Sequence, residues 1–203
     1  MNAEPPRLVI FNLPNQLTVL RLILAVVLFV FIANRFYATS AVLFSIAAAT
    51  DWLDGYLARK YGMVTTLGRI LDPFADKVVV CGSFIMLCAI PAMNEPAWGL
   101  RAWMVVIIVG RELLVTALRS FIEERGGDFS AKWSGKWKMG LQCGAAIAAF
   151  VYLAWSAAAE SPPLWVVYTT AAFIWSALLM TIYTGYVYVT AAMEMVRRPT
   201  SIS

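Results

Sequence analysis

Asp51, Asp54, Asp72 and Asp76 fall within DWLDGYLARKYGMVTTLGRILDPFADK, residues 51–77, and no other stretch of the chain offers comparable chemistry. Asp51 and Asp54 are three residues apart and Asp72 and Asp76 four apart, so on helices each pair projects from one side. Asp72-Pro73 also reads as an N-cap followed by proline at the first helical position. A carboxylate deep in an apolar span costs about 2.5–3.5 kcal/mol on the insertion scale, and less near the interface. Four together also repel one another, so something positive must hold them. The chain has no histidine. Oxygen donors without nitrogen or thiolate partners favour Mg²⁺ or Mn²⁺, and one or two such ions would resolve the cost.

Gly55 and Ala58 complete an i, i+3, i+4, i+7 stripe with Asp51 and Asp54. A face of carboxylates and the smallest side chains lets a bulky ligand lie flat against it. Arg59 and Lys60 follow at the helix end, where a phosphate would meet cations. Metal, phosphate and close backbone approach together describe a phosphoryl or nucleotidyl site. Each residue also has a plainer use: interfacial aspartates paired with Arg59, an N-cap at Asp72, helix packing at Gly55 and Ala58. Taken jointly at this spacing, the plainer uses lose to the site.

A second set of charges lies downstream. GRELLVTALRSF, residues 110–121, places Arg111, Glu112 and Arg119 in apolar sequence, and AKWSGKWKMG adds Lys132, Lys136 and Lys138. Arginine forks and lysine point charges so placed suit a phosphorylated acceptor, with Arg111, Arg119 and Lys136 as candidate phosphate ligands. Glu112 could instead simply neutralise an arginine, and the lysines could belong to an ordinary cytoplasmic loop.

The elements that must position these residues are membrane spans. The chain is 61% hydrophobic and 14% charged, against about 25% charged in an ordinary globular domain. Its mean hydropathy is +0.73. The 203 residues suit one domain. Apolar runs near 16–33, 39–58, 73–90, 98–120, 134–157 and 163–192 predict an all-α bundle of six transmembrane helices. The first run follows two prolines and lacks a small-x-small cleavage site, so it reads as a retained anchor. Arg35, Arg101 and Glu160 lie at one set of alternate connections. Arg7, Arg59, Lys60, Arg69, Arg125, the three lysines and Arg197-Arg198 lie at the other. The positive-inside rule puts the second set, both termini and the aspartates on the cytoplasmic side of the cell's inner membrane.

The net charge of +4 thus reflects membrane orientation rather than nucleic-acid binding. Without histidine, Ser-His-Asp and Cys-His catalysis are excluded. Cys81, Cys88 and Cys143 lack metal-ligand spacing and read as buried thiols. Gly140, Gly144 and Ala148 form a small-residue stripe suited to helix packing.

The pattern Asp51-x2-Asp54-Gly55-x2-Ala58-Arg59-x8-Gly68-x3-Asp72-x3-Asp76 resembles the signature of the CDP-alcohol phosphatidyltransferases at every defined position. The resemblance implies a single membrane domain over residues 1–203 and two divalent ions held by Asp51, Asp54, Asp72 and Asp76, with Asp76 also the base. It implies CDP-diacylglycerol contacts at Gly55, Ala58, Arg59 and Thr65, with Gly68 making room in the loop, and it suggests a homodimer. NLPNQLTVLRL, GRELL…ALR and SGKWKMGLQ further resemble the branch that makes phosphatidylglycerophosphate, whose acceptor is sn-glycerol 3-phosphate. Inositol phosphate, serine or phosphatidylglycerol are the acceptors of neighbouring branches. A transporter is the reading from another class, disfavoured because the acidic cluster sits at one membrane face and no inverted repeat is visible.

Overall fold

The computed structural model describes residues 13–61, 66–124, 133–158 and 161–197. Among them are seven helices and no strand: α1 (Leu13–Ala33), α2 (Tyr37–Tyr61), α3 (Thr66–Cys88), α4 (Pro91–Asn94), α5 (Ala102–Glu124), α6 (Trp133–Ala157) and α7 (Leu164–Arg197). The six long helices overlap the six apolar runs of the sequence. Among the described residues, two segments are long and apolar enough throughout to cross a membrane, Gly135–Ala157 and Leu164–Glu194. Shorter apolar stretches among the described residues are Thr18–Ala33, Tyr37–Thr50 and Lys77–Cys88.

One expectation fails at the start of α3. The helix begins at Thr66, so Asp72 is no N-cap and Pro73 stands inside the helix. Gly68, expected in a loop, lies in the first turn. A proline there leaves the carbonyl four residues earlier, Arg69, without its intrahelical donor. The turn before Pro73 is helical because nothing in Thr-Leu-Gly-Arg-Ile-Leu forbids it beyond one glycine.

The turn between α1 and α2 is a Schellman motif. Phe36 N–H reaches Phe31 carbonyl at 3.0 Å and Arg35 N–H reaches Ile32 carbonyl at 3.0 Å. The Phe31 and Phe36 rings pack at 5.7 Å, the apolar contact that accompanies this cap. Arg35 takes the left-handed position with φ 65°, where glycine is the usual occupant. For a residue with a Cβ that conformation costs about 1–2 kcal/mol, partly offset by the smaller entropy it loses on folding. Arg35→Gly is therefore expected to stabilise the protein by about 0.5–1 kcal/mol and Arg35→Val to destabilise it. Thermal unfolding in detergent measures both; a lower midpoint for the glycine variant contradicts this account of the turn.

The helices pack around Leu28, Phe44, Phe84, Ile108, Phe150 and Ile174, all nearly fully buried. Phe44 of α2 meets Phe150 of α6 at 5.9 Å between ring centroids. α1 lies against α2 and α3, while α6 packs most extensively on α7 and also touches α2. Two glycines allow close approach. A Cβ at Gly82 would lie 2.2 Å from the Phe29 ring, and one at Gly144 would lie 2.6 Å from Phe173. The small-residue stripe of α6 thus works inside the bundle at Gly144, and Ala148 continues it by accepting a hydrogen bond from Thr170 Oγ1 at 3.2 Å. At Gly140 nothing approaches a Cβ within 4 Å.

Polarity runs inward. α1 turns Thr18 and Arg21 to the interior and exposes Val19, Ile23, Val26 and Val30. α7 buries Thr170, Thr181 and Thr184 while Trp165, Tyr168, Leu179, Ile182 and Tyr186 face out. An exterior this rich in large apolar side chains, around an apolar core that also takes in these polar ones, suits lipid as the solvent better than water. Cys81 is buried and Cys88 and Cys143 are half-buried, as expected of structural thiols.

Candidate functional site

Asp51, Asp54, Gly55, Ala58 and Arg59 all lie on the last part of α2, and Gly68, Asp72 and Asp76 on the first half of α3. The two helices pack against each other. Helical spacing keeps Asp51 with Asp54, and Asp72 with Asp76, on common faces. The side chains of these residues lie outside the described set, as does Thr65 altogether. Among the described side chains, no three Asp, Glu, Cys or His residues gather as a metal site.

Next to Asp76 in sequence, Lys77 takes part in a charged cluster. Lys77 of α3, Glu112 of α5, and Lys138 and Gln142 of α6 line one small pocket with Cys81. Its volume of about 20 Å³ has room for about one water. Glu112 accepts a hydrogen bond from Arg111 Nη1 at 3.2 Å and another from Lys138 Nζ. Both pairs are nearly excluded from solvent, with side-chain exposures of 9–11%. α5 and α6 are therefore tied together at one charged point, which α3 lines with Lys77. Burial makes such a pair sensitive to loss of either partner, because the survivor is left as an uncompensated charge.

Arg111 is held from several sides. Its guanidinium lies 5.4 Å from the centre of the Tyr188 ring of α7. Gly185 makes room for it, since a Cβ there would lie 3.2 Å from Arg111 Cγ. Its Nε is buried and, among the described residues, has no hydrogen-bond acceptor; the same holds for Nε of Arg119. A guanidinium is a fork of donors that matches carboxylate and phosphate geometry. Behind the cluster, Gln142 Nε2 donates to Thr181 Oγ1 at 3.2 Å, and Thr181 Oγ1 donates to Ala177 carbonyl at 2.6 Å.

Of the residues expected to receive an acceptor phosphate, Arg111 and Arg119 share α5 and are both partly buried. Lys136 is exposed, whereas Lys138 turns inward with only 7% exposure. Sequence reasoning passed over Lys77, named Lys138 among the lysines of its segment without choosing it as a ligand, and read Glu112 as a neutraliser of an arginine without finding its second partner. A signal for Lys138 existed. Lys138, Gln142, Ala145 and Ala149 follow one another at helical spacing on the buried face of α6. Arg21, 3% exposed, sits likewise on the stripe Arg21, Ala25, Leu28, Ile32 of α1 and was also missed.

Comparison with known proteins gives a consistent result. Residues 11–183 match the CDP-alcohol phosphatidyltransferase family. A protein of Bacillus subtilis (strain 168) named CDP-diacylglycerol–glycerol-3-phosphate 3-phosphatidyltransferase is 36% identical over 143 residues, covering 63% of this chain and 70% of that one. Proteins of the same name from Salmonella choleraesuis (strain SC-B67) and Escherichia coli (strain K12) are 32% and 31% identical. Each alignment covers 90% of this chain and 95% of the relative.

Proposed function

This chain belongs to the CDP-alcohol phosphatidyltransferase family, and from that premise we propose that it transfers the phosphatidyl group of CDP-diacylglycerol to sn-glycerol 3-phosphate. The products are phosphatidylglycerophosphate and CMP, a step of phospholipid biosynthesis. The observation that carries the reading is similarity along 90% of the chain to enzymes whose name states this donor and this acceptor. The chain is a membrane-embedded transferase, and residues 1–203 are read as one domain.

The donor set suits a divalent cation: four aspartates on two packed helices, in a chain without histidine. Asp51, Asp54, Asp72 and Asp76 would hold two ions, Mg²⁺ or Mn²⁺. When bound, such ions supply positive charge to the pyrophosphate as CMP departs. Gly55, Ala58, Arg59, Thr65 and Gly68 form the bed for the CDP-lipid, whose tails remain in the bilayer. A hydroxyl oxygen of glycerol 3-phosphate attacks the phosphorus that bears the diacylglycerol, the bond from that phosphorus to CMP breaks, and Asp76 takes the hydroxyl proton. Arg111, Arg119 and Lys136 receive the acceptor phosphate, and Lys138 and Lys77, which line the pocket at Glu112, are further cations close by. Glu112 holds Arg111 and Lys138 in place. A homodimer is part of the same reading and rests on the family resemblance.

Steady-state kinetics test the acceptor assignment. Arg111→Ala, Arg119→Ala and Lys136→Ala are each expected to raise the acceptor KM while leaving that of CDP-diacylglycerol little changed. A lost charge-assisted hydrogen bond of about 1.5–3 kcal/mol lowers kcat/KM about ten- to hundredfold. Arg→Lys is also expected to impair any two-pronged contact. Unchanged acceptor KM in all three, or equal use of unphosphorylated glycerol, contradicts the reading.

We read the bundle as six spans with cytoplasmic termini and an active site facing the cytoplasm of the inner membrane. The basic connections support the orientation; interfacial aromatics fit the end of the spans, where Trp98 packs edge-on against Tyr152 at 5.0 Å and Trp175 Nε1 donates to Trp98 carbonyl at 3.2 Å. A cysteine introduced at Lys132 is expected to react with an impermeant thiol reagent only from the cytoplasmic side, and one at Glu160 only from the other. The reverse pattern overturns the orientation.

A further inference from the structure

At the end of the bundle away from the aspartates, a cavity of about 470 Å³ opens between the α1–α2 turn, the α3–α4 turn and the end of α6. That volume lies within the usual range of ligand pockets. On α2, Tyr37 at the cavity and Asp54 are 17 residues apart, about 25 Å at the helical rise, so the two places are separate. The wall is apolar, with Ile32, Met86 and Leu153 among its residues, and no acidic side chain lines it. Arg35 and Tyr37 supply the cation and the hydroxyl. Neither side chain makes a hydrogen bond or ion pair to another described residue.

Arg35 is also the strained residue of the turn, with φ 65° at a position where glycine fits without cost. A side chain kept in such a conformation calls for a use beyond the turn itself. An arginine fork over an apolar hollow matches an amphiphile with an anionic phosphate head. We propose that this cavity binds an anionic phospholipid, its phosphodiester at Arg35 and Tyr37 and an acyl chain against Ile32, Met86 and Leu153. Under the topology above, this lipid belongs to the outer leaflet and is neither donor nor acceptor of the transfer. The binding stands whether or not the acceptor is glycerol 3-phosphate.

The test is native mass spectrometry of the purified full chain titrated with phosphatidylglycerol, phosphatidylcholine or free glycerol 3-phosphate. Arg35→Gly removes the charge and keeps the turn; Ala89→Trp fills the cavity and keeps the charge. Wild type is expected to hold one phosphatidylglycerol molecule at least about tenfold more tightly than either variant, as for loss of a charge-assisted contact. Phosphatidylcholine and glycerol 3-phosphate are expected to show no such difference. Transferase activity of Arg35→Gly, remote from the aspartates, is expected to match wild type and shows that the variant is folded. Equal phosphatidylglycerol retention by wild type and either variant overturns the proposal. A difference seen with glycerol 3-phosphate alone also overturns it, in favour of a free-phosphate site.

Discussion

Removing divalent ions with a chelator is expected to abolish turnover, and Asp51→Asn, Asp54→Asn or Asp72→Asn to lower it at least about a hundredfold. Asparagine keeps the shape and one oxygen donor of aspartate but removes the negative charge that a hard cation requires. The pyrophosphate would then meet the carboxylates that remain with less compensating charge, and loss of one such electrostatic stabiliser costs about 10²–10³ in rate. Metal affinity should fall in step with activity, so Mn²⁺ titration by paramagnetic resonance provides a readout independent of turnover. Full activity in metal-stripped protein contradicts the ligand assignment for all four aspartates.

Asp76→Asn is expected to fall as far, for a second reason. Its amide cannot accept the acceptor's proton, and a positioned base contributes about 10²–10⁴ in rate. Saturating Mn²⁺ is therefore expected to leave the rate low in this variant, whereas a pure loss of metal affinity would be repaired by added metal. Recovery of Asp76→Asn by Mn²⁺ alone would reduce its role to that of a ligand. Lys77, next to Asp76 in sequence, lines the Glu112 pocket, so the proposed base lies beside the proposed acceptor cluster.

The placement of the four aspartates on helices was legible because its information is local, in spacings of three and four residues. The six long helices were legible for the same reason, as runs of apolar residues. Where long-range packing decides, sequence reasoning stopped short. Pro73 looked like a helix start, yet α3 begins at Thr66 and carries the proline in its interior. The four-residue α4 has no periodicity to read; Gly99 supports its fold-back, since a Cβ there would lie 2.2 Å from Met93 carbonyl. That Lys138 turns inward while Lys136 stays exposed follows only from how α6 packs. The tie between Glu112 and Lys138 joins residues 26 apart in sequence and follows only from the packed bundle. Arg35 in a left-handed turn was equally invisible, because nothing in Asn34-Arg35-Phe36 announces a Schellman cap.

Phosphatidyl transfer to glycerol 3-phosphate is tested most directly by following label from the acceptor into lipid. Purified protein would receive CDP-diacylglycerol, Mg²⁺ and radiolabelled sn-glycerol 3-phosphate, in parallel with inositol phosphate, serine and phosphatidylglycerol as competing acceptors. The expected result is chloroform-extractable phosphatidylglycerophosphate formed in equal amount with CMP, with the other acceptors giving little product. CMP release without label in lipid, or preferred transfer to another acceptor, would contradict the assignment.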